Sequence, residues 1–274
     1  MQLDKIKVVY VNGCSHMCGA EIEGPNVMVN NSQKEKSWTG QLVKKYFPNA
    51  KYINESIPGQ CNEMISIVTQ DSLNDLLLDY DPSEIYVIIG WTDFYRRTFH
   101  SEYKVDIFDK KYVFNKQMTV SGRVATRESD IPRLKELAVG LVAHTSQYQQ
   151  HITFLNYYCN MINFLDLHGI EYFMMHSINS ISSELWDNIG FPGQSTMLYT
   201  PENVKKVTES YQWHKYWTNP YTLKEIDYYL HLKFEEFIDP TIDGRYHHYT
   251  EEGHTVWLEK IIEPWLKESL EWPI

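Results

Sequence analysis

Glu84-Ile85-Tyr86-Val87-Ile88-Ile89-Gly90 places five apolar residues in succession and closes them with a glycine. Nothing in the run alternates, so the strand it predicts is buried on both faces. That is the pattern of a parallel sheet covered by helices on each side. Working outward, Lys7-Val8-Val9-Tyr10-Val11 has the same character and ends in Asn12-Gly13, a tight-turn signal. Between the two, Ser37 to Phe47 carries Trp38, Leu42, Val43 and Tyr46 at helical spacing, closed by Pro48-Asn49. Tyr52-Ile53 is a short candidate strand, and Met64, Ile65, Val68, Leu73, Leu76 and Leu77 predict the helix that follows. Downstream, a stripe running through Leu134, Leu141, Leu155 and Ile162 predicts a long helix from about residue 132 to His168-Gly169. Ile170 to Met175 supplies another strand, and Val256 to Leu270 a final helix. Alternating strands and helices predict an α/β fold, a three-layer α/β/α sandwich with a mainly parallel sheet.

Two stretches break this rhythm. Near residues 100–130, Lys111–Phe114 and Met118–Val120 flank Asn115-Lys116-Gln117 and predict a hairpin. From 180 to about 236 the periodicity is poor, with Gly190, Pro192-Gly193 and Pro201 as breakers and an aromatic cluster at Trp213, Tyr216, Trp217 and Tyr221. Packing of that cluster within the insertion is favoured over a sugar-stacking or lid surface. No repeat, low-complexity tract or linker is visible, so residues 1–274 read as a single domain with these two insertions.

Composition narrows the class of partner. The chain has 25 Lys plus Arg against 36 Asp plus Glu, a formal net charge of −11, which argues against general nucleic-acid or anionic-membrane binding. No stretch approaches the roughly 18 apolar residues of a bilayer span. Met1 to Lys7 lacks the apolar core of a secretion signal. Four scattered cysteines, Cys14, Cys18, Cys61 and Cys159, read as reduced thiols. The expectation is a soluble cytoplasmic protein, with its oligomeric state unread.

In open parallel sheets, reactive groups collect beyond the carboxyl ends of the strands. The first strand is followed by Asn12-Gly13-Cys14-Ser15-His16, the second by Ile57-Pro58-Gly59-Gln60-Cys61-Asn62, and the third by Gly90-Trp91-Thr92-Asp93. The last helix is preceded by Asp243-Gly244-Arg245-Tyr246-His247-His248. A serine on one turn, glycines on its neighbours and an acid–histidine pair are the parts of a serine hydrolase. The hydroxyl needs a base, the base needs a carboxylate to hold its tautomer, and the oxyanion needs unobstructed backbone donors.

At these residues the chain resembles the SGNH (GDSL-type) hydrolase superfamily, and within it the SGNH-like proteins of tailed bacteriophages. Gly13-Cys14-Ser15-His16 is similar to the Gly-Asp-Ser-Leu block, Asn54 to Gly59 with Asn62 to the second block, Gly90-Trp91-Thr92-Asp93 to the third, and His248 to His254 to the histidine-containing fifth. The order and separations match along nearly the whole chain.

The resemblance implies a flavodoxin-like sheet of the SGNH-hydrolase type, with Ser15 as nucleophile, His248 as base and Asp243 as the orienting acid. It implies an oxyanion hole drawn from Ser15, Gly59, Thr92 and Asn62. Trp91, Arg96 and His247 are the candidate substrate contacts. The implied activity is hydrolysis of a carboxylic ester, with carbohydrate O-acetyl groups or small acyl esters as substrate class, through a Ser15 acyl-enzyme. No cofactor or metal is implied, and a phage-encoded protein would work in the host cytoplasm.

Two positions depart from the family pattern. Thr92 stands where the family has an oxyanion asparagine, and Arg245 stands three residues before His248, where the family has its acid. Asn62 either substitutes as a donor or serves the helix it begins. The base is His248 or His247. His254 reads as a packing residue, since its spacing from His248 fits no common zinc pattern. Cys14 points inward and is not the nucleophile. The same residues serve an acyltransferase, and a non-catalytic member would use the scaffold to bind a saccharide, nucleotide or protein.

Overall fold

A computed structural model of the chain describes residues 3–24, 28–92, 96–107, 110–120, 147–177, 217–218, 248 and 250–269. Its main sheet runs β2 (Lys51–Asn54), β1 (Val8–Gly13), β3 (Ile85–Trp91), β6 (Glu171–His176) and β7 (Trp217–Thr218), in that spatial order. All its pairings are parallel. Counted along the chain, the parallel strands therefore lie in the order 2-1-3-4-5, the flavodoxin-like arrangement. The order reverses between β1 and β3, and the carboxyl ends of those two strands flank the crevice in which open α/β sheets place ligands.

Every residue of β1 and of β3 is buried, as their unbroken apolar runs require. The β3 side chains divide by the strand period of two. Tyr86 and Ile88 join one core with Trp38, Leu42, Phe173, Leu258 and Leu266. Ile85, Val87, Ile89 and Trp91 join the other with Ile65, Leu73, Phe154, Tyr158 and Leu165. On the first face lie α3 (Trp38–Tyr46) and the C-terminal helices, α6 (Glu251–Trp257) and α7 (Glu263–Ser269), joined by a π-helical turn over Leu258–Ile262. On the second lie α4 (Asn62–Asp79) and α5 (Gln147–His168). The three-layer α/β/α sandwich expected from the sequence is what the chain forms.

Two short helices precede α3: α1 (Ser15–Cys18) directly after β1, and α2 (Asn31–Lys36). No apolar stripe marks α2. It is set instead by a capping box, with the Asn30 side chain accepting from Gln33 N–H and the Gln33 side chain accepting from Asn30 N–H. The hairpin is present but longer than expected. β4 (Arg97–Ile107) pairs antiparallel with β5 (Lys110–Val120) from Arg97↔Val120 to Ile107↔Lys110. Asn115-Lys116-Gln117 thus lies inside a strand, not at the turn; none of the three is a glycine or proline that would break the ladder. The part of the expected long helix before residue 147, and the aromatic cluster other than Trp217, lie outside the described residues.

At the carboxyl ends, Gly13 pairs with Gly90. A β-carbon on either would overlap the side chain of Met17, and one on Gly13 would also meet the Gly90 carbonyl at 2.7 Å. We expect Gly90→Ala to lower stability by about 1–3 kcal/mol, the usual range for overpacking. Urea unfolding at neutral pH measures it, and an unchanged midpoint would show that Met17 simply moves aside.

Candidate functional site

Three loops meet at the β1/β3 crevice, and buried asparagine side chains hold each of them. Asn12, next to last in β1, accepts from Gly13 N–H at 2.8 Å and donates to Thr69 Oγ1 at 3.0 Å in α4. Asn54, last in β2, donates to Met17 O at 3.0 Å and accepts from Ser56 N–H at 3.0 Å. Asn62, first in α4, donates to Thr92 O at 3.0 Å and accepts from Thr92 N–H at 2.8 Å. A buried amide answered at both ends is rigid, because losing either bond strands a polar group away from water.

Ser15 occupies the first position of α1 and is only 4% exposed. An N–H at that position has no partner within its own helix. Ser15 Oγ makes no hydrogen bond to a described residue, His248 included. The loop carrying Gly59 is tied to this turn by a hydrogen bond from Ile57 N–H to Gly13 O at 3.3 Å. Ile57-Pro58-Gly59-Gln60 is a β-turn closed by Gln60 N–H to Ile57 O at 3.1 Å, with Gly59 at φ +82°. A left-handed glycine third, with proline favoured second, is the signature of a type II turn. Gly59 N–H makes no hydrogen bond to a described residue, and open space lies where its β-carbon would be.

His248 stands beside α1. Its ring centroid is 5.2 Å from that of His16, the residue after Ser15. Its Nδ1 lies 2.8 Å from Glu21 Oε2, which leaves Nε2 as the ring's other proton-transfer atom. Glu21 sits in the left-handed region at φ +67° and is the one non-glycine described residue that does. Two successive turns hold it there, Ile22 N–H to Gly19 O at 3.3 Å and Gly24 N–H to Glu21 O at 2.9 Å. A glutamate gains nothing locally from that conformation, which costs about 1–3 kcal/mol. The rest of the loop is anchored by Glu23, which accepts from Ser32 Oγ at 2.8 Å, Asn30 Nδ2 at 3.1 Å and Lys36 Nζ at 3.1 Å. The Ser32, Asn30 and Lys36 hydrogen bonds, in that order of effect, hold the Glu23 carboxyl down at about 2.

Several expected contacts fall elsewhere. Trp91 is a core residue and not a substrate contact: it is fully buried, its ring lies edge-on to Phe154 and Tyr158, and its Nε1 donates to Met174 Sδ. The side chains of a strand point alternately to opposite faces, and Trp91 follows Ile85, Val87 and Ile89 into the second core. Asn62 is engaged with the Thr92 main chain and so braces the third loop instead of presenting an amide to substrate. The Thr92 hydroxyl is enclosed without a hydrogen-bond partner, so it faces no open site. Arg96 is half-buried, with Nη1 enclosed and unpartnered. Asp243 and His247 lie outside the described residues.

Cys14 is fully buried, and burial together with the neighbouring Cys14 raises the Cys18 thiol to about 12. Neither is poised as a nucleophile. No group of three or more His, Cys, Asp or Glu side chains able to hold a metal ion occurs among the described residues. Glu21 was the partner that sequence reasoning missed. It sits six residues after Ser15, and nothing in Gly19-Ala20-Glu21-Ile22 marks it, since a left-handed glutamate has no compositional signal.

No family model matches this sequence, and no curated protein does. Among solved structures, the chain is loosely similar to the Bacillus subtilis protein YXIM, at 14% identity and a TM-score of 0.46 over 96% of this chain. It spans only 56% of the length of that protein. TesA is similar at 12% identity and a TM-score of 0.42, covering 95% of this chain and 98% of its own. The psychrotrophic esterase EstA from Pseudoalteromonas sp. follows at 11% and 0.40, covering 96% and 100%. No helix among the described residues is long and apolar enough to cross a membrane.

His254, on the first turn of α6, is buried, and burial followed by the charge of His248 pushes its imidazole down to about 3. The unfolded chain takes up this proton near pH 6.5 and the folded chain does not. The stability that neutral His254 brings is therefore present above pH 6.5 and is lost progressively as pH falls toward 3. We expect a loss of at most about 1.4 kcal/mol per pH unit from this group. His254→Gln should flatten that slope in denaturation midpoints taken from pH 7 to 4; parallel slopes would show that His254 is solvated.

Proposed function

We propose that this chain is a serine esterase of the SGNH type. One observation carries the reading: a histidine whose Nδ1 is hydrogen-bonded to a carboxylate abuts the short helix that begins with Ser15, at the sheet's switch point. Ser15 Oγ attacks the carbonyl carbon of a carboxylic ester while its proton moves to His248 Nε2. The carbonyl electron pair collects on the oxygen, which the N–H groups of Ser15 and Gly59 stabilise. When that pair returns, the carbon–oxygen bond to the leaving alcohol breaks and the alcohol departs with the proton from Nε2. Water then repeats the sequence on the acyl-enzyme and regenerates Ser15. The Ser15–His248 hydrogen bond forms with substrate in place, as such contacts commonly do.

The substrate class follows from the resemblance: an O-acetyl group on a carbohydrate, or another small acyl ester. Relationship to phage-encoded proteins and a cytoplasmic site of action belong to the same proposal, as does His247 as a further member of the site. Arg96 is kept as a candidate contact for an anionic group on the substrate through its guanidinium charge, Nη1 being enclosed.

A second reading, a non-catalytic binding module on the same scaffold, is favoured by one feature. Asn62 is committed to Thr92 and the Thr92 hydroxyl is enclosed, so the oxyanion site draws on backbone donors alone. Losing one side-chain donor typically costs ~10²–10³ in rate.

A fluorophosphonate probe and a chromogenic acetyl ester separate the two readings. The esterase reading expects labelling and turnover by the wild type, with both lost in Ser15→Ala. Turnover unchanged in Ser15→Ala would remove Ser15 as nucleophile. A folded wild type that neither labels nor turns over would leave the binding module.

A further inference from the structure

We propose that Glu21, not Asp243, is the carboxylate that orients His248 for proton transfer with Ser15. The inference rests on the reading of Ser15 and His248 as nucleophile and base, and it names a positioning residue that the family pattern does not supply. The geometry is direct. Glu21 Oε2 lies 2.8 Å from His248 Nδ1, with the Glu21 side chain 27% and the His248 side chain 18% exposed. A carboxylate at Nδ1 fixes the neutral ring as the Nδ1–H tautomer and leaves a lone pair on Nε2, the form a base needs. Glu21 retains its hydrogen bond to Nδ1–H throughout and takes no proton itself. The proton from Ser15 Oγ travels to Nε2 and leaves with the alcohol.

A second observation points the same way. Glu21 stands at φ +67° between two closed turns, a conformation that glycine would adopt without cost. Its loop is anchored independently by Glu23 on α2, so the Glu21 side chain is not needed to hold the loop's course. A residue kept in a disfavoured backbone state, with its carboxylate on an imidazole beside the nucleophile, is a mark of function carried at the expense of stability. The family pattern would take its acid from three residues before His248, where this chain has Arg245. Glu21 answers that vacancy from the opposite end of the sequence.

The test uses the full chain labelled with ¹⁵N-histidine, the His248 ring being assigned by its disappearance in His248→Gln. At pH 8 the wild type should show the Nδ1–H tautomer at His248. In Glu21→Ala and Glu21→Gly the ring should shift toward Nε2–H, and ester turnover should fall by ~10²–10⁴. Glu21→Gly should melt no lower than Glu21→Ala, because its backbone is at ease at this φ; loss of turnover with stability kept is what a merely structural role does not produce. Asp243→Asn should leave the Nδ1–H tautomer of His248 as in the wild type. The proposal is overturned if both Glu21 variants retain the wild-type tautomer, or if Asp243→Asn abolishes it. Should the wild type hydrolyse no ester, the esterase reading fails by itself, and the tautomer measurement still decides between Glu21 and Asp243.

Discussion

The close pairing of Gly13 with Gly90 is the constraint on which the rest of the crevice depends. Parallel strands ordinarily carry side chains to their ends, and those side chains would separate the loops that follow. Here the last β1 position and its β3 partner have none, and Met17 from α1 fills the space above both. The helix that starts at Ser15 is thereby drawn down onto the sheet rather than projecting from it. Any β-carbon at either glycine would lift Met17, and with it the turn that presents Ser15.

Around that contact the polar groups are arranged with little slack. Asn12 links the end of β1 to α4, Asn54 links the end of β2 to α1, and Asn62 links the start of α4 to Thr92. Met17 O accepts from both Asn54 Nδ2 and Thr39 Oγ1, so α1 is fastened at its carbonyl end from two sides. Asparagine suits such positions because one short side chain offers a donor and an acceptor to main-chain groups that no ladder or helix satisfies. The loops are therefore rigid for reasons separate from any chemistry. That separation explains why Asn62, a candidate donor by position, serves instead as a brace.

What the sequence made legible follows from how local each signal is. The buried strands were readable because β1 and β3 are apolar without alternation, and a short run of that kind between turn signals suits a strand covered on both faces. Pro58-Gly59 declared its turn through two residues with strong backbone preferences. Trp91 was misread because an aromatic residue at a strand end fits a pocket wall as well as a core; its partners Phe154 and Tyr158 are more than sixty positions away. Asn115-Lys116-Gln117 suggested a turn through polarity alone, which a strand tolerates. Glu21 was invisible for a different reason. Its backbone state is imposed by the turns on either side, and its partner is His248, 227 positions along the chain.

That distance along the chain bears on how the site is built. Ser15, the strained Glu21 and the anchoring Glu23 all belong to one short segment between β1 and α2, whereas Gly59 and His248 come from elsewhere in the chain. In the proposed reading, the nucleophile and the carboxylate that sets its base's tautomer thus share one segment, fixed to the sheet by Met17 and to α2 by Glu23. Among the described residues the C-terminal segment contributes the His248 ring, and α6 holds neutral His254 close to it. In the usual arrangement acid and base travel together on one loop, and their mutual geometry survives movement of that loop. In the proposed reading the base is instead oriented by the segment that carries the nucleophile. A displacement of the segment bearing His248 would break the carboxylate contact and the approach to Ser15 together, so the ring is oriented only when it is also in place.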